Sequence, residues 1–353
     1  MNNPTARADR PTLTIRSPQD AVSAVPYLLG FHPAHSLVAV GYAGTGGNTC
    51  AMRLDLPHPG EADLAHSLAD RVAEALTRNG FHHAMLLGYG DAEHVAPVID
   101  VTRRSLEAHG ISIQEALRVH DGRWWSYLCD NPGCCPADGT PYDISSSIVA
   151  AEATLAGHAA YPDRDALVES VRRLPDTDGR IRAATGRAER RLIGWIATGR
   201  PSKEIRADMV KEAVPLVTRL TAAVPDALPT DDETAWLGVL LTDLRVRDEA
   251  WVRINADDPA NDITLWRHVV QRVHSPYVPA PACLLAYAAY CTGDGGLANV
   301  ALDRAAEADP AYSLAALLRE VIHAAIPPSR ARLHMTPEQL ATAYAEQEEP
   351  TPP

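Results

Sequence analysis

The chain has 353 residues, 46% of them hydrophobic and only 5% aromatic, which suits two ordinary cores packed by aliphatic side chains and alanine. Its net charge is −13, with 45 acids against 32 lysines and arginines, a field that repels phosphate backbones and anionic membrane surfaces and so argues against both as partners. Six cysteines are too few for a disulfide framework, no apolar run reaches the roughly 18 residues of a membrane span, and MNNPTARADRPTLTI lacks a signal-peptide core, so a cytoplasmic protein with reduced thiols is expected.

Thr12–Arg16 alternates like a short strand. Ser17-Pro18 then opens a helix, because Ser caps well and Pro suits the first helical position; Gly30 and Pro33 end it near Leu29. Leu37–Tyr42 reads as a buried strand. The Gly-rich link at 44–48 predicts a hairpin returning through Cys50–Leu56. Glu61–Arg78 repeats Leu64, Leu68, Val72, Ala75 and Leu76 at helical spacing and stops at Asn79-Gly80. His83–Tyr89 is a buried strand, and the strand–helix–strand unit over 50–89 predicts parallel strands joined by a right-handed crossover. A helix over Ala92–His109 and a strand over Ile111–Val119 follow, the latter alternating imperfectly. Asp121-Gly122 is a hairpin turn leading into Trp124–Leu128.

Asp130–Asp143, DNPGCCPADGTPYD, is a Pro-, Gly- and Cys-rich loop that marks the end of a first domain. Beyond it the pattern is helical and cut into short pieces by prolines, among them Pro201, Pro215, Pro229, Pro259, Pro279 and Pro310. The predicted organisation is an α/β N-terminal domain with a mixed β-sheet flanked by helices (10–143), an all-α domain (144–330) and a polar, disordered tail (331–353).

VPYLLGFHPAHSLVAVG, WWSYLCDNPGCCPADGTPYD and GGLANVALDRAAEADPAYSLAALL together resemble an uncharacterised actinobacterial group, the domain of unknown function DUF4192, over about residues 10–330. The resemblance implies no reaction, ligand or catalytic residue. A second resemblance is to a tetratricopeptide-like helical hairpin: Ala298, Leu302, Ala305 and Pro310 have that repeat's small–bulky–small–Pro spacing, although no second copy follows.

Three groups of residues could carry chemistry. If the first two strands are antiparallel, the turn before the first lies beside the ends of the later ones, and the carboxyl edge of the sheet gathers His32, His35, Ser36, Asp55, Asp91, His120 and Asp121. His35, Ser36, Asp55 and Asp91 are the catalytic candidates, since imidazole beside carboxylate serves acid–base work or a divalent metal. Strand ends also collect polar residues simply because loops face water. Cys129, Cys134 and Cys135 are the metal candidates, with His120 as a fourth ligand, although their spacing is not that of paired zinc cysteines and adjacent thiols ligate one ion with difficulty. Trp124 and Trp125 are the partner-binding candidates, because alternation turns one ring outward. The Arg-rich run 172–191 reads as a helix face paired with nearby acids, having no interleaved aromatics for nucleic acid.

The expected function is a cytoplasmic protein-interaction or regulatory protein whose helical half binds another protein. The alternative is a hydrolase-like enzyme, with or without a divalent metal, using the His/Asp edge. An enzyme predicts convergence of His35, Asp55 and Asp91; a binder predicts an exposed apolar patch on the helical half. The sequence names no cofactor and leaves open whether a reaction is catalysed.

Overall fold

The computed structural model describes residues 15–44, 49–155 and 159–348. The chain divides into two compact units, the first comprising 1–167 with 324–327, the second 168–323 with 328–353.

The first unit is built on a six-stranded mixed sheet of order β2-β1-β3-β4-β5-β6. Its elements are α1 (Pro18–Leu29), β1 (Ser36–Tyr42), β2 (Thr49–Asp55), α2 (Ala62–Arg78), β3 (His83–Tyr89), α3 (Ala92–Ala108), β4 (Ser112–His120), β5 (Arg123–Ser126), β6 (Thr140–Pro141) and α4 (Ile148–Leu155). The Ser17 hydroxyl accepts from Asp20 N–H at the start of α1, and Gly30, at φ 79°, ends it. β1 is antiparallel to both β2 and β3, while β3 and β4 are parallel. β2 and β3 therefore point the same way, as their helical connection requires, but β1 lies between them. Asp121 and Gly122, both at positive φ, form the two-residue turn that joins β4 to an antiparallel β5.

Alternation divides the sheet's side chains between two faces. Leu37, Ala39, Ala84, Leu86 and Ala116 pack with Val72, Leu76, Val95, Ile99 and Leu106 of α2 and α3. The approach is close: a Cβ on Gly41 would fall 2.3 Å from Leu76 Cδ2, and one on Gly88 would fall 2.2 Å from Val95 Cγ1. The small residues Ala65, Ala69 and Ala73 form much of the buried side of α2, so Leu64 is turned outward and is 46% exposed. Val38, Val40, Leu87, Leu117 and Val119 are left to the opposite face, where α1 lies with α4 against it. The imperfect alternation of β4 has a cause: the register slips so that Ala84 and Met85 face Ile113 and Glu115, and Gln114 bulges out.

Several expectations differ from what is observed. Of the strand expected over Thr12–Arg16, residues 12–14 lie outside the described ones, and Ile15 and Arg16 are not in a strand. Residues 45–48 of the Gly-rich link also lie outside them. The first unit runs past Asp143 because Tyr161 N–H donates to the Gly30 carbonyl at 2.8 Å and His32 N–H to the Tyr161 carbonyl at 3.0 Å, tying the chain after α4 to the end of α1.

After α5 (Arg164–Glu169), on which the division falls, the second unit contains α6 (Arg180–Ile196), α7 (Ser202–Ala223), α8 (Asp231–Leu240), α9 (Leu244–Trp251), α10 (Ala260–Arg272), α11 (Pro279–Thr292), α12 (Gly295–Ala308), α13 (Ser313–His323), α14 (Pro328–Ala331) and α15 (Pro337–Glu348). α11 is buried on every side from Pro279 to Cys291 and is the axis on which α10, α12 and α13 pack. Pro215 does not end a helix. It sits inside α7, where Ala213, Val217 and Leu220 are buried on either side of it, and that packing outweighs the roughly 3 kcal/mol of an interior proline. Within the polar tail, expected to be disordered towards its end, Pro337–Glu348 forms α15; residues 349–353 lie outside the described ones. Thr336 and Gln339 cap it reciprocally, and Tyr344 Oη donates to Asp248 at 2.6 Å.

Candidate functional site

The register fixes what shares the carboxyl edge of the sheet. Ser36 is paired with Asp55 on one side and with Tyr89 on the other; Tyr89 is paired with Val119, Val119 with Trp124, and Trp124 with Thr140. Paired residues point to the same face, so these six side chains form one row across the whole sheet, on the face that α1 covers. Four of them bury a polar atom without a partner among the described residues: Ser36 Oγ, Tyr89 Oη, Trp124 Nε1 and Thr140 Oγ1. Ser23 Oγ on α1 is also buried and unpartnered. Burial, with Tyr142 nearby, pushes the Tyr89 phenol well above its ordinary range, so it is a neutral hydroxyl.

The catalytic candidates take separate positions within this frame. Ser36 is fully buried, whereas Asp55 lies at the rim with its side chain 81% exposed, and Arg53 holds it at 2.6 Å. His35 is exposed and sits at φ 44°; its carbonyl accepts from Leu56 N–H, fixing the turn against the end of β2. Asp91 caps α3. One of its oxygens accepts from His94 N–H at 3.1 Å and lies 2.7 Å from His94 Nδ1, which together hold the carboxyl below its usual range. Register thus brings Ser36 and Asp55 together and chain neighbourhood adds His35, but among the described residues no hydrogen bond joins any two of His35, Ser36, Asp55 and Asp91. His94 is the partner that reading the sequence missed, and its signal was there: an Asp-x-x-His spacing at a helix start sets both side chains on one turn. His32 is half-buried, which lowers its pKa and favours neutral imidazole. His120 Nε2 lies 3.5 Å from Asp121 Oδ2.

Of the tryptophan pair, Trp124 points inward and is only 7% exposed, so it cannot be a surface contact. Trp125 faces the other way but is occupied within the unit. Arg118 stacks over its ring at 3.5 Å, and its Nε1 donates to the Ala137 carbonyl. Gly139, at φ 81°, has room for no Cβ, since one would meet the Trp125 ring at 2.4 Å. Arg123 adds bonds to the Asp138 and Gly139 carbonyls. Trp125 is therefore the post to which the Pro- and Cys-rich loop is fixed.

That loop brings three thiols together. The Asn131 carbonyl accepts from both Cys134 and Cys135 N–H, and Asn131 Oδ1 accepts from Gly133 N–H, which folds residues 131–135 into a tight turn. Cys134 Sγ comes to 3.1 Å from Cys129 Sγ and 3.9 Å from Cys135 Sγ, and all three sulfurs lie within 4.8 Å of one another. The Cys134 thiol beside it draws the Cys129 pKa down, while burial and the other two thiols push Cys135 up to about 12. His120 is not part of the group. Cys50 packs against the α2/α3 core, and Cys283 and Cys291 are buried in α11.

Several arginines of the basic run are paired with acids. Arg180 meets Asp178, Arg187 meets Asp232 and Arg191 meets Glu212. Among the described residues no helix is long and apolar enough to cross a membrane.

A family model matches residues 18–329, that of the Domain of unknown function (DUF4192). No curated protein and no solved structure matches the chain.

Proposed function

Since the chain belongs to the DUF4192 family, which brings no reaction with it, we propose that it acts in the cytoplasm as an interaction or regulatory protein whose helical unit binds another protein. The observation that carries this reading is the last turn and a half of α6. Ile193 and Ile196 lie one turn apart and are 61% and 58% exposed, and Ala197 beside them is exposed too. Two exposed isoleucines at adjoining positions are a contiguous apolar patch rather than scattered surface residues. Trp195 is fixed from behind by an edge-on contact with Trp236, 5.4 Å between ring centres, so the patch has a rigid base. Arg190 continues the same stripe one turn earlier, is exposed, and makes no ion pair among the described residues. Apolar residues led by a free cation suit an amphipathic helix carrying an acid at its matching end. The α11–α12 hairpin, with Ala298, Leu302 and Ala305 buried between its helices, supports the tetratricopeptide likeness as a single scaffold unit rather than an array.

A photo-reactive residue placed at Ile193 or Ile196 of the full chain in cells tests this. A discrete covalent product is expected at both positions, reduced by Arg190→Glu, and absent at Lys203, which is exposed on α7. Equal labelling at all three positions would count against the patch.

A hydrolase-like reading retains one supporting observation, the shared register position of Ser36 and Asp55 with the Ser36 hydroxyl unpartnered. Full burial of Ser36, with no base in hydrogen-bond reach among the described residues, makes it the second choice. Labelling of Ser36 by a fluorophosphonate probe, lost in Ser36→Ala, would reverse that order.

A further inference from the structure

We infer that Cys129, Cys134 and Cys135 form a zinc site that supplies three thiolates and leaves the fourth position open to solvent. Three sulfurs around one tetrahedral zinc, each about 2.3 Å from the metal, stand roughly 3.8 Å apart. The observed separations, 3.1 Å and 3.9 Å with all three within 4.8 Å, bracket that value. Cysteines that merely packed a loop would have no reason to turn their sulfurs toward a common point. The adjacency of Cys134 and Cys135 is no obstacle here, because the turn at Asn131 sends both side chains to one side.

Protein contacts also hold the loop in place. Trp125, Arg118, Arg123 and Gly139 hold its far limb to β5, and the turn at Asn131 holds the near limb. Ligands held this way lose little freedom on binding, which favours affinity. Thiolates select soft or borderline cations over magnesium and calcium. No fourth His, Cys, Asp or Glu joins the three among the described residues, and Cys134 is exposed. A site with three protein ligands facing solvent takes water, or a donor from another molecule, as its fourth ligand. On coordination each thiol loses its proton to the buffer and its sulfur forms a bond to zinc, with no change in oxidation state.

The competing outcome is a Cys129–Cys134 disulfide, for which the two sulfurs are also near neighbours, formed by loss of two electrons and two protons to an oxidant. The full chain, purified reduced and equilibrated with zinc alone, tests the assignment by its bound metal and its reactive thiols. About one zinc per chain is expected, with three of the six cysteines protected from a thiol reagent until a chelator is added. Cobalt in place of zinc should give a thiolate charge-transfer band and a tetrahedral visible spectrum. Cys129→Ser and Cys134→Ser should each weaken retention by about tenfold or more, while Cys50→Ser leaves it unchanged. Because cobalt titration needs only the unaltered chain, a variant that misfolds does not rescue the idea. No cobalt–thiolate band, metal retained in the Cys129→Ser/Cys134→Ser double variant, or a Cys129–Cys134 disulfide persisting in reducing buffer would overturn it.

Discussion

On the helical unit many surface arginines, though not Arg190, are met by acids: Arg187 by Asp232, Arg191 by Glu212, Arg219 by Glu233, Arg272 by Asp231 and Arg319 by Asp303. Along the row at the sheet's carboxyl edge, Ser36, Tyr89, Trp124 and Thr140 each bury a polar atom that has no partner among the described residues. The helical unit has buried atoms of this kind too, Trp251 and Trp266 Nε1 among them. An unpaired buried group costs about 1–3 kcal/mol, so four in one row is a concession that the rest of the unit offsets by burial on both faces of the sheet. The long arginine side chains reach acids on helices packed beside their own. At the sheet edge strand pairing fixes which side chains lie side by side, whether or not they suit one another.

The largest test of this contrast probes the burial behind the sheet. Leu76→Ala should cost about 2–5 kcal/mol in denaturant unfolding. Gly41→Ala should cost about 1–3 kcal/mol alone, because its Cβ meets Leu76, and less than about 0.5 kcal/mol in the Leu76→Ala background. Equal costs in both backgrounds would show that the two residues do not constrain each other.

Next comes an acid in the helical unit that breaks its rule of pairing. Among the described residues the buried Asp262 accepts a hydrogen bond from Asn255 N–H alone, and burial raises its carboxyl to about 6. A raised carboxyl binds its proton more tightly in the folded chain, so this group's contribution is fully present below about pH 4 and is lost as pH rises through 6. Asp262→Asn should remove that pH dependence and stabilise the protein at pH 7 by about 2–3 kcal/mol. A wild-type melting profile that rises between pH 4 and 6 and is unaltered by the substitution would contradict the sign.

A smaller effect separates capping from catalysis at the edge. Asp91→Ala should cost about 1 kcal/mol by uncapping α3, and Asp91→Asn or Asp91→Ser should recover most of it. Smallest of all, Ile196→Glu should change stability by no more than about 0.5 kcal/mol, as fits a side chain kept for something outside the fold. A loss of 2 kcal/mol or more, the usual cost of core disruption, would make the patch part of the core instead.

Much of the architecture was legible because periodicity and punctuation agreed. Ser17-Pro18, Gly30 and Pro33 bracket α1, and Asp121-Gly122 specifies a two-residue turn. β6 escaped because two residues have no period, and the Gln114 bulge showed only as blurred alternation. Pro215 lies inside a helix against its sequence signal, because the intrinsic cost of proline is visible in sequence and the packing that outweighs it is not. The edge candidates could be gathered in sequence, but the orphaned row could not, since it depends on which residue faces which across five strand pairings. The three cysteines were visible by spacing alone; that their sulfurs share one point depends on the Asn131 carbonyl.

One consequence follows from the position of β2 at the end of the sheet. Among the described residues it pairs only with β1, so the outward row of its backbone amides and carbonyls joins no described strand. Such a row is a template on which another chain can add itself, and β2 is protected by its charged Arg53–Asp55 pair and by Pro57 and Pro59 directly after it. Arg53→Val with Asp55→Val should leave the monomer folded yet prone to form ordered aggregates, so these two charges serve solubility as well as the geometry of the edge.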